Sequence, residues 1–246
     1  MPMRRARRLV SVAVVASLAV TGLSACRSAP AMAAYIGAVK IADTRAQAVY
    51  DEVHNAIVAA GPAAQGQPAP AEVTRDDVVG VLVGAEMLPA LAKQQNVSLP
   101  ADVPVDTYAT ALRLPANTEY TRLYVQASMY ANLLLQKATG GPQPTDADLR
   151  EVFDALVKAS GDSGGTTFEQ FKGGLSADNT KAVQTALAVR QEITDAAAKS
   201  DLSINPRYQA ASLPVLQSQL QQNGPLYLLI SAPLAAGDAA PVSAAH

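Results

Sequence analysis

Apolar residues recur at the spacing of an amphipathic helix through most of the chain. From Asp43 the apolar positions Ala46, Val49, Val53 and Ile57 lie three or four residues apart, the pattern of a helix with one buried face. The same pattern predicts helices over 43–60, 74–91, 106–114, 117–138, 145–158 and 178–199. The second of these segments is apolar nearly all round, so we expect it near the centre of the fold.

Polar residues at the predicted helix starts favour particular boundaries. Thr74 precedes Asp77 by three residues, and Thr145 precedes Asp148 in the same way, which is the spacing of a capping box. Asn117 is expected to cap the long helix 117–138. Glu86 lies inside the most apolar helix, so we expect it to be partly buried and paired rather than catalytic.

Three short apolar runs near the chain ends predict extended structure. Tyr35–Ile41 is partly β-branched and suits a strand, and Leu202–Tyr208 alternates before it breaks at a proline. Because isolated strands leave their backbone groups to water, we expect these two segments to pair with each other. The third run, Leu226–Ile230, is a strand or a buried tail.

The first 25 residues have the three parts of an export signal. A cluster of four arginines precedes the apolar stretch Leu9–Leu23, which is too short to span a bilayer. The stretch ends in Leu23-Ser24-Ala25-Cys26, which resembles the lipobox of bacterial lipoproteins. This resemblance implies cleavage before Cys26 and acylation of its thiol. An ordinary secretory signal with a chance cysteine and an uncleaved anchor remain as alternatives.

Composition narrows the classes of function. Cleavage before Cys26 removes four of the 19 basic residues and none of the 21 acidic ones, so the mature chain is acidic and no nucleic-acid partner is expected. Cys26 is the single cysteine, and the chain has two histidines, His54 and His246. We therefore expect no disulfide, no metal site and no cofactor.

One short motif imitates a catalytic site. The sequence Gly161-Asp162-Ser163-Gly164-Gly165 matches the nucleophile segment of chymotrypsin-like serine proteases. That chemistry needs a histidine base and a double β-barrel, whereas the only upstream histidine, His54, lies in a predicted amphipathic helix. We interpret the motif as a linker between two helices and expect no catalysis.

Four of the eight tyrosines lie within 23 residues, and they are the candidate binding residues. A tyrosine combines a broad apolar ring with a polar tip, which suits loosely specific contact with polypeptides. Ordinary helix packing in a core poor in phenylalanine is the alternative. We expect the helix face that carries Tyr120 and Tyr124 to be exposed and to contact client polypeptides. The four residues are Tyr108, Tyr120, Tyr124 and Tyr130.

The order of elements resembles the N-terminal chaperone domain of SurA- and PrsA-type periplasmic foldases. The resemblance covers roughly 34–158 and rests on the strand ending at Ile41, the apolar helix ending in Ala92-Lys93-Gln94-Gln95-Asn96-Val97, and the segment from Pro144 to Phe153. The family's opening signature would fall on 36–42, where only its two hydrophobic positions are kept. Ile204–Tyr208 is similar to the closing strand of lipoproteins of this superfamily that lack the parvulin isomerase domain.

The resemblance implies a mainly α, SurA-N-like helical domain with a minimal two-stranded strand pair that joins the N- and C-terminal segments. The expected divisions are a lipoprotein signal peptide (1–25), a tether (26–33), the chaperone domain (34–231) and a disordered tail (232–246). The expected function is non-catalytic binding of unfolded or secreted polypeptides, on the extracytoplasmic face of the cell membrane through the lipid on Cys26. An envelope scaffold for one dedicated partner or ligand is the alternative.

Overall fold

Seven α-helices and five β-strands are formed by the described residues of this computed structural model, which are 31–61, 71–221 and 224–235. The predicted mainly helical class is therefore confirmed, with small antiparallel sheets. The helices are α1 (Asp43–Ala60), α2 (Arg75–Gln94), α3 (Val105–Leu112), α4 (Glu119–Lys137), α5 (Asp146–Ser160), α6 (Phe168–Gly174) and α7 (Ala177–Lys199). The strands are β1 (Met32–Ile36), β2 (Val39–Ala42), β3 (Leu202–Ile204), β4 (Ser212–Gln219) and β5 (Leu226–Pro233).

A three-stranded antiparallel sheet, in the order β2-β1-β3, joins the first described residues to the segment that follows α7. Ala34 lies opposite Ile204, which confirms the predicted pairing of the two segments. The predicted single strand 35–41 is instead divided into a hairpin, because Gly37 has a φ of 55° and turns the chain between β1 and β2. The sheet consequently has three strands rather than the expected two.

Helix α2 lies at the centre of the fold, as its apolar character predicts. It contacts α1, α4, α7, β1 and β4. Two glycines let β4 approach it closely: a Cβ on Gly80 would lie 2.3 Å from the backbone oxygen of Ser212, and one on Gly84 would lie 2.5 Å from Leu213 Cδ2. Helix and strand are therefore packed more tightly than any residue with a side chain would allow at Gly80.

Strands β4 and β5 form a separate antiparallel hairpin. The run Leu226–Ile230 is thus a strand, and its partner β4 is an element that the hydrophobic pattern did not predict. β4 contacts α2, α4 and α7, and β5 contacts α3, α5 and α7. The hairpin supplies part of the core through Leu213, Val215 and Ile230, all of which are buried.

The predicted helices are present with ends shifted by up to three residues, but one cap and one additional helix differ from the sequence predictions. α4 is capped by Thr118, whose hydroxyl accepts a hydrogen bond from the N–H of Thr121, rather than by Asn117. α6 was not predicted, although Thr167 and Gln170 form a capping box at its start. By contrast, the two predicted capping boxes, at the starts of α2 and α5, are both present.

The expectation for Glu86 is wrong. Its side chain is exposed, and so are the neighbouring Ala85, Pro89 and Ala90. These residues form a narrow solvent-facing stripe on α2, which is otherwise buried over most of its length. The stripe allows the carboxylate to stay hydrated, so no buried partner is needed.

Both ends of the ordered domain extend beyond the predicted limits. Ala33, expected in the tether, belongs to β1 and is fully buried, at 0% exposed. At the other end β5 runs to Pro233, and Leu234 is 4% exposed and donates its N–H to the oxygen of Ala211 at 3.0 Å. Residues 232–234 are therefore structural, whereas the rest of the predicted tail, from residue 236, lies outside the described residues.

Candidate functional site

The predicted lipid-attachment residue, Cys26, lies outside the described residues, together with the predicted signal peptide 1–25. The described chain starts at Ala31, and β1 begins at Met32. Within the described ranges, none of the helices combines the length and the apolar character needed to cross a membrane.

Tyr120 and Tyr124 are not on an exposed face, which corrects the expectation for these two residues. Tyr120 is 3% exposed and belongs to the core, and its ring lies 5.8 Å from that of Tyr124, measured between centroids. The part-buried Tyr124 hydroxyl accepts a hydrogen bond from Gln217 Nε2 at 3.1 Å. Tyr120 therefore fits the alternative of ordinary packing in the core, and Tyr124 is hydrogen-bonded to a residue of β4.

The surroundings of these two tyrosines favour their neutral forms. Burial raises the pKa of the Tyr120 hydroxyl well above its ordinary value, and the nearby Asp77 carboxylate raises it further. Burial and Asp77 raise the pKa of Tyr124 in the same way, and the hydrogen bond from Gln217 lowers it by less. Neither hydroxyl is therefore suited to act as a base near neutral pH.

The other two candidate tyrosines lie apart from this pair. Tyr108, on α3, is half-buried. Tyr130 is also half-buried and lines a small apolar notch of about 110 Å³ between α2 and α4, next to Pro89. The structure thus brings together Tyr120 and Tyr124 but does not gather all four tyrosines into one surface.

A cleft of about 580 Å³, here called the β5 cleft, lies among the described residues. Its sides come from the N-terminal part of α2 and the chain before it, the ends of α3 and α5, the start of α4, and the first residues of β5. The lining residues are Ala71, Glu72, Val73, Thr74, Asp76, Asp77, Leu112, Arg113, Leu114, Tyr120, Tyr124, Ala155, Lys158, Ala159, Ala210, Leu226, Tyr227 and Leu228.

Aromatic and aliphatic groups make up most of the β5 cleft. Tyr120 and Tyr124 supply its buried floor, and Tyr227 stands at its side with the guanidinium of Arg113 5.4 Å from the ring centroid. Leu228 is 39% exposed, an unusual position for a large aliphatic side chain in this fold. Such a mixture of apolar surface and a few polar groups is typical of binding sites.

Charges of both signs line the β5 cleft. The Asp77 carboxylate is engaged in the capping box of α2, and Asp76 Oδ1 accepts the N–H of Ala210 at 2.9 Å. Glu72 and Lys158 are exposed, and neither forms an ion pair with another described residue. The mixed charge suits neither a polyanion nor a polycation.

Sequence reasoning missed the hairpin residues of this site. The sequence predicts Leu226–Ile230 only as a strand or a buried tail, without a role in a site. A local signal for the turn before it is the dipeptide Asn223-Gly224, which is typical of hairpin turns.

The protease-like motif lies in the connection between α5 and α6, as the linker interpretation predicts. Gly164 donates its N–H to Asp162 Oδ1 at 2.7 Å, which is a local turn contact. Ser163 borders an open depression that is also lined by the charged residues Arg150, Asp154 and Lys158, and no histidine is among its described lining residues.

No group of three or more histidine, cysteine, aspartate or glutamate side chains in the described ranges is arranged to hold a metal ion. Comparison of the chain with protein-family models, with curated proteins and with solved structures finds no match.

Proposed function

We propose that this protein is a lipid-anchored, extracytoplasmic, chaperone-like protein that binds unfolded or secreted polypeptides in the β5 cleft, without catalysis. The observation that carries the proposal is the β5 cleft itself: an aromatic floor, an exposed leucine at its side and exposed charges of both signs. An unfolded polypeptide offers the complementary mixture of apolar side chains, charges and backbone groups.

The arrangement of elements supports a SurA-N-like domain as the scaffold. A short strand leads into α1, a central apolar helix follows, and β3 returns after α7 to pair with β1. The Pro206–Tyr208 segment follows β3 directly, in the order that the resemblance implies for the closing motif. The β4-β5 hairpin is an addition to the pattern that the resemblance implied.

Binding is tested with reduced, carboxymethylated lysozyme, which stays unfolded, and with native lysozyme as the folded control. We expect the full chain to bind the unfolded form with micromolar affinity, to slow the aggregation of a heat-denatured enzyme without nucleotide, and to ignore native lysozyme. Equal binding of both forms, or binding of neither, contradicts the proposal. Recovery of one tightly bound partner from membranes favours a dedicated scaffold instead.

A matched pair of surface variants locates the binding site. Leu228→Ser removes an exposed leucine from the β5 cleft, and Val58→Ser removes an exposed valine, 64% exposed, that does not line it. Both variants should keep the free energy of unfolding within about 0.5 kcal/mol, because both side chains are already exposed. Only Leu228→Ser should weaken binding of the unfolded lysozyme. Equal losses in both variants would place the site elsewhere.

The membrane anchor is tested separately. Mass spectrometry of the protein extracted from membranes should find Cys26 as the first residue with its thiol acylated, and Cys26→Ala should release the protein from membranes or stall its processing. A free thiol on Cys26 in membrane-derived protein would contradict the anchor but not the binding site.

A further inference from the structure

Arg190, on α7, bonds to two of the elements that form the β5 cleft. Its Nη2 donates to both carboxylate oxygens of Glu151 on α5, at 2.6 and 2.5 Å. Its Nε donates to the backbone oxygen of Ser231 on β5 at 2.8 Å. Because α5 and β5 both supply residues to the lining of the cleft, a single side chain from a third element joins two of its sides.

The partners of Arg190 lie close to the residues that line the cleft. Glu151 precedes Ala155 by one helical turn, about 6 Å along α5, and lies on the same face of the helix. Ser231 follows Leu228 by three residues, about 10 Å along β5. Helix α5 and strand β5 also contact each other directly. A change in the contacts of Arg190 therefore reaches both sides of the cleft over a short distance.

The surroundings of Arg190 favour one orientation of its side chain. The side chain is 19% exposed, so water and salt screen its contacts less than those of a surface ion pair. A guanidinium presents its donors in a rigid planar fork, which suits partners that lie in different directions. Asp148 Oδ1 lies 3.5 Å from Arg190 Nη1, and Asp148 Oδ2 is fixed by the capping box of α5. The position of α5 relative to β5 thus depends on one ordered side chain.

We propose that Arg190 is a positioning residue of the β5 cleft, which fixes the separation of α5 and β5 and thereby determines how tightly an unfolded polypeptide is held between them. This inference rests on the proposed function and names the residue on which the shape of the site depends. Arg190 does not line the cleft, so it acts without touching the client. A site whose sides are fixed before binding loses less conformational entropy when the client binds, which raises the affinity.

Substitutions at both ends of this contact test the proposal with reduced, carboxymethylated lysozyme as the client. Arg190→Met removes the donors and keeps an unbranched stem. We expect the dissociation constant to rise about three-fold or more, the cost of ordering one or two freed side chains on binding. Arg190→Lys keeps the charge but has no planar fork to serve Glu151 and Ser231 together, so its effect should be intermediate. Glu151→Gln weakens the contact with α5 and should also raise the dissociation constant.

Two control variants separate positioning from other effects. Lys172→Met removes an ion pair that also reaches α5, through Asp146, but includes no residue of β5. Val53→Ala removes two methyl groups from a fully buried residue of α1, which destabilises the domain away from the cleft. At a temperature where circular dichroism shows every variant to be folded, both controls should bind the unfolded lysozyme like the original chain.

A distance measurement tests the role of Arg190 without any client. Spin labels on Lys158→Cys and Leu228→Cys mark the α5 and β5 sides of the cleft, and Cys26→Ala leaves them as the only two cysteines of the chain. In the free protein, pulsed electron paramagnetic resonance should give one narrow distribution of distances between the labels. Arg190→Met should broaden or lengthen this distribution, and the two control variants should leave it unchanged.

The two measurements separate this inference from the proposed function. If the original chain binds unfolded lysozyme and Arg190→Met binds it equally well, Arg190 is not a positioning residue and the proposed function stands. An unchanged distance distribution in Arg190→Met overturns the inference in the same way, and so does an equal loss of binding in Val53→Ala, which would assign the effect to stability. If the original chain binds no unfolded lysozyme, both fail.

A failure of Arg190→Met to fold does not remove the test. Arg190→Lys and Glu151→Gln each keep a polar side chain at the contact, and the same two measurements are then made on them. We expect both to weaken binding and to broaden the distance distribution. Two folded variants that match the original chain in both measurements would overturn the inference.

Discussion

The hydroxyl of Tyr208 donates a hydrogen bond to the carboxylate of Asp43, the first residue of α1. Arg207 Nη1 lies 3.4 Å from the same carboxylate oxygen. Tyr208 follows β3, so these contacts fasten the segment after α7 to the start of the first helix. Asp43 also gains from its position, because a negative charge is favourable at the N-terminus of a helix.

Tyr208→Phe removes the hydroxyl and leaves the buried ring in place. We expect the free energy of unfolding to fall by about 1.5–3 kcal/mol, the range for a hydrogen bond to a charged acceptor. Urea denaturation measures the loss. In a double-mutant cycle with Asp43→Asn, the double variant should lose less stability than the sum of the two single losses, because each single variant already weakens the contact between the hydroxyl and the carboxylate. Additive losses would show that the hydroxyl and the carboxylate act independently.

Gly80 should tolerate no larger residue. Gly80→Ala places a Cβ 2.3 Å from the backbone oxygen of Ser212, which cannot move without displacing β4, so we expect a loss of about 2–3 kcal/mol. Gly84→Ala meets the side chain of Leu213, which can change rotamer, and should cost less. Gly173→Ala, in α6, meets nothing within 4 Å and should be neutral or slightly stabilising. Thermal unfolding of the three variants gives the order.

Tyr120 should behave as a core residue. Tyr120→Ala removes a ring that is 3% exposed, so we expect the protein to lose about 3–5 kcal/mol of stability. Tyr124→Phe keeps its ring and loses the hydrogen bond from Gln217, which should cost about 1 kcal/mol. Denaturant unfolding monitored by circular dichroism distinguishes the two. A Tyr120→Ala protein as stable as the original chain would contradict the assignment of Tyr120 to the core.

Alkaline pH should destabilise the protein through its buried tyrosines. Burial raises the pKa of Tyr120, Tyr124 and Tyr208 above the ordinary value of 10.0, and the hydrogen bond to Asp43 adds to the effect on Tyr208. Their contribution is fully present below pH 10 and is lost as the pH rises toward the folded-state values, because the unfolded chain ionises first.

The predicted loss of stability is tested by measuring the free energy of unfolding between about pH 8 and about pH 11, a range that brackets the ordinary tyrosine pKa. In Tyr124→Phe the decline above pH 10 should be shallower than in the original chain, since one of the three groups no longer titrates. An identical decline in both proteins would contradict the assignment to Tyr124.

The helices were predictable because their signals are local. The capping boxes at Thr74 and Thr145 and the spacing of apolar residues depend on neighbours within one or two turns, and both boxes are present. β4 was missed because Ser212–Gln219 contains Pro214 and shows no clear alternation. Its strand conformation depends on packing against α2, where Gly80 and Gly84 leave room for the strand to approach the helix closely.

The candidate site could be predicted from the sequence less well than the fold. The tyrosines were recognised as candidates, but the periodicity of α4 does not say whether the side bearing Tyr120 meets solvent or another element. The hairpin decides this, because Gln217 binds Tyr124 and the first residues of β5 complete the cleft over the pair. The sequence of a helix does not show whether a segment that is distant in sequence will cover one of its faces.

The pairing of Ala34 with Ile204 also sets a condition on how the chain reaches its native state. A ribosome has to add about 170 residues after β1 before the partner strand exists, so one edge of β1 stays open through most of synthesis. Contacts between residues so far apart in sequence slow the search for the native state. The export that we propose would therefore complete this sheet only near the end of the passage across the membrane, and until then the chain would itself be an unfolded polypeptide with an exposed strand.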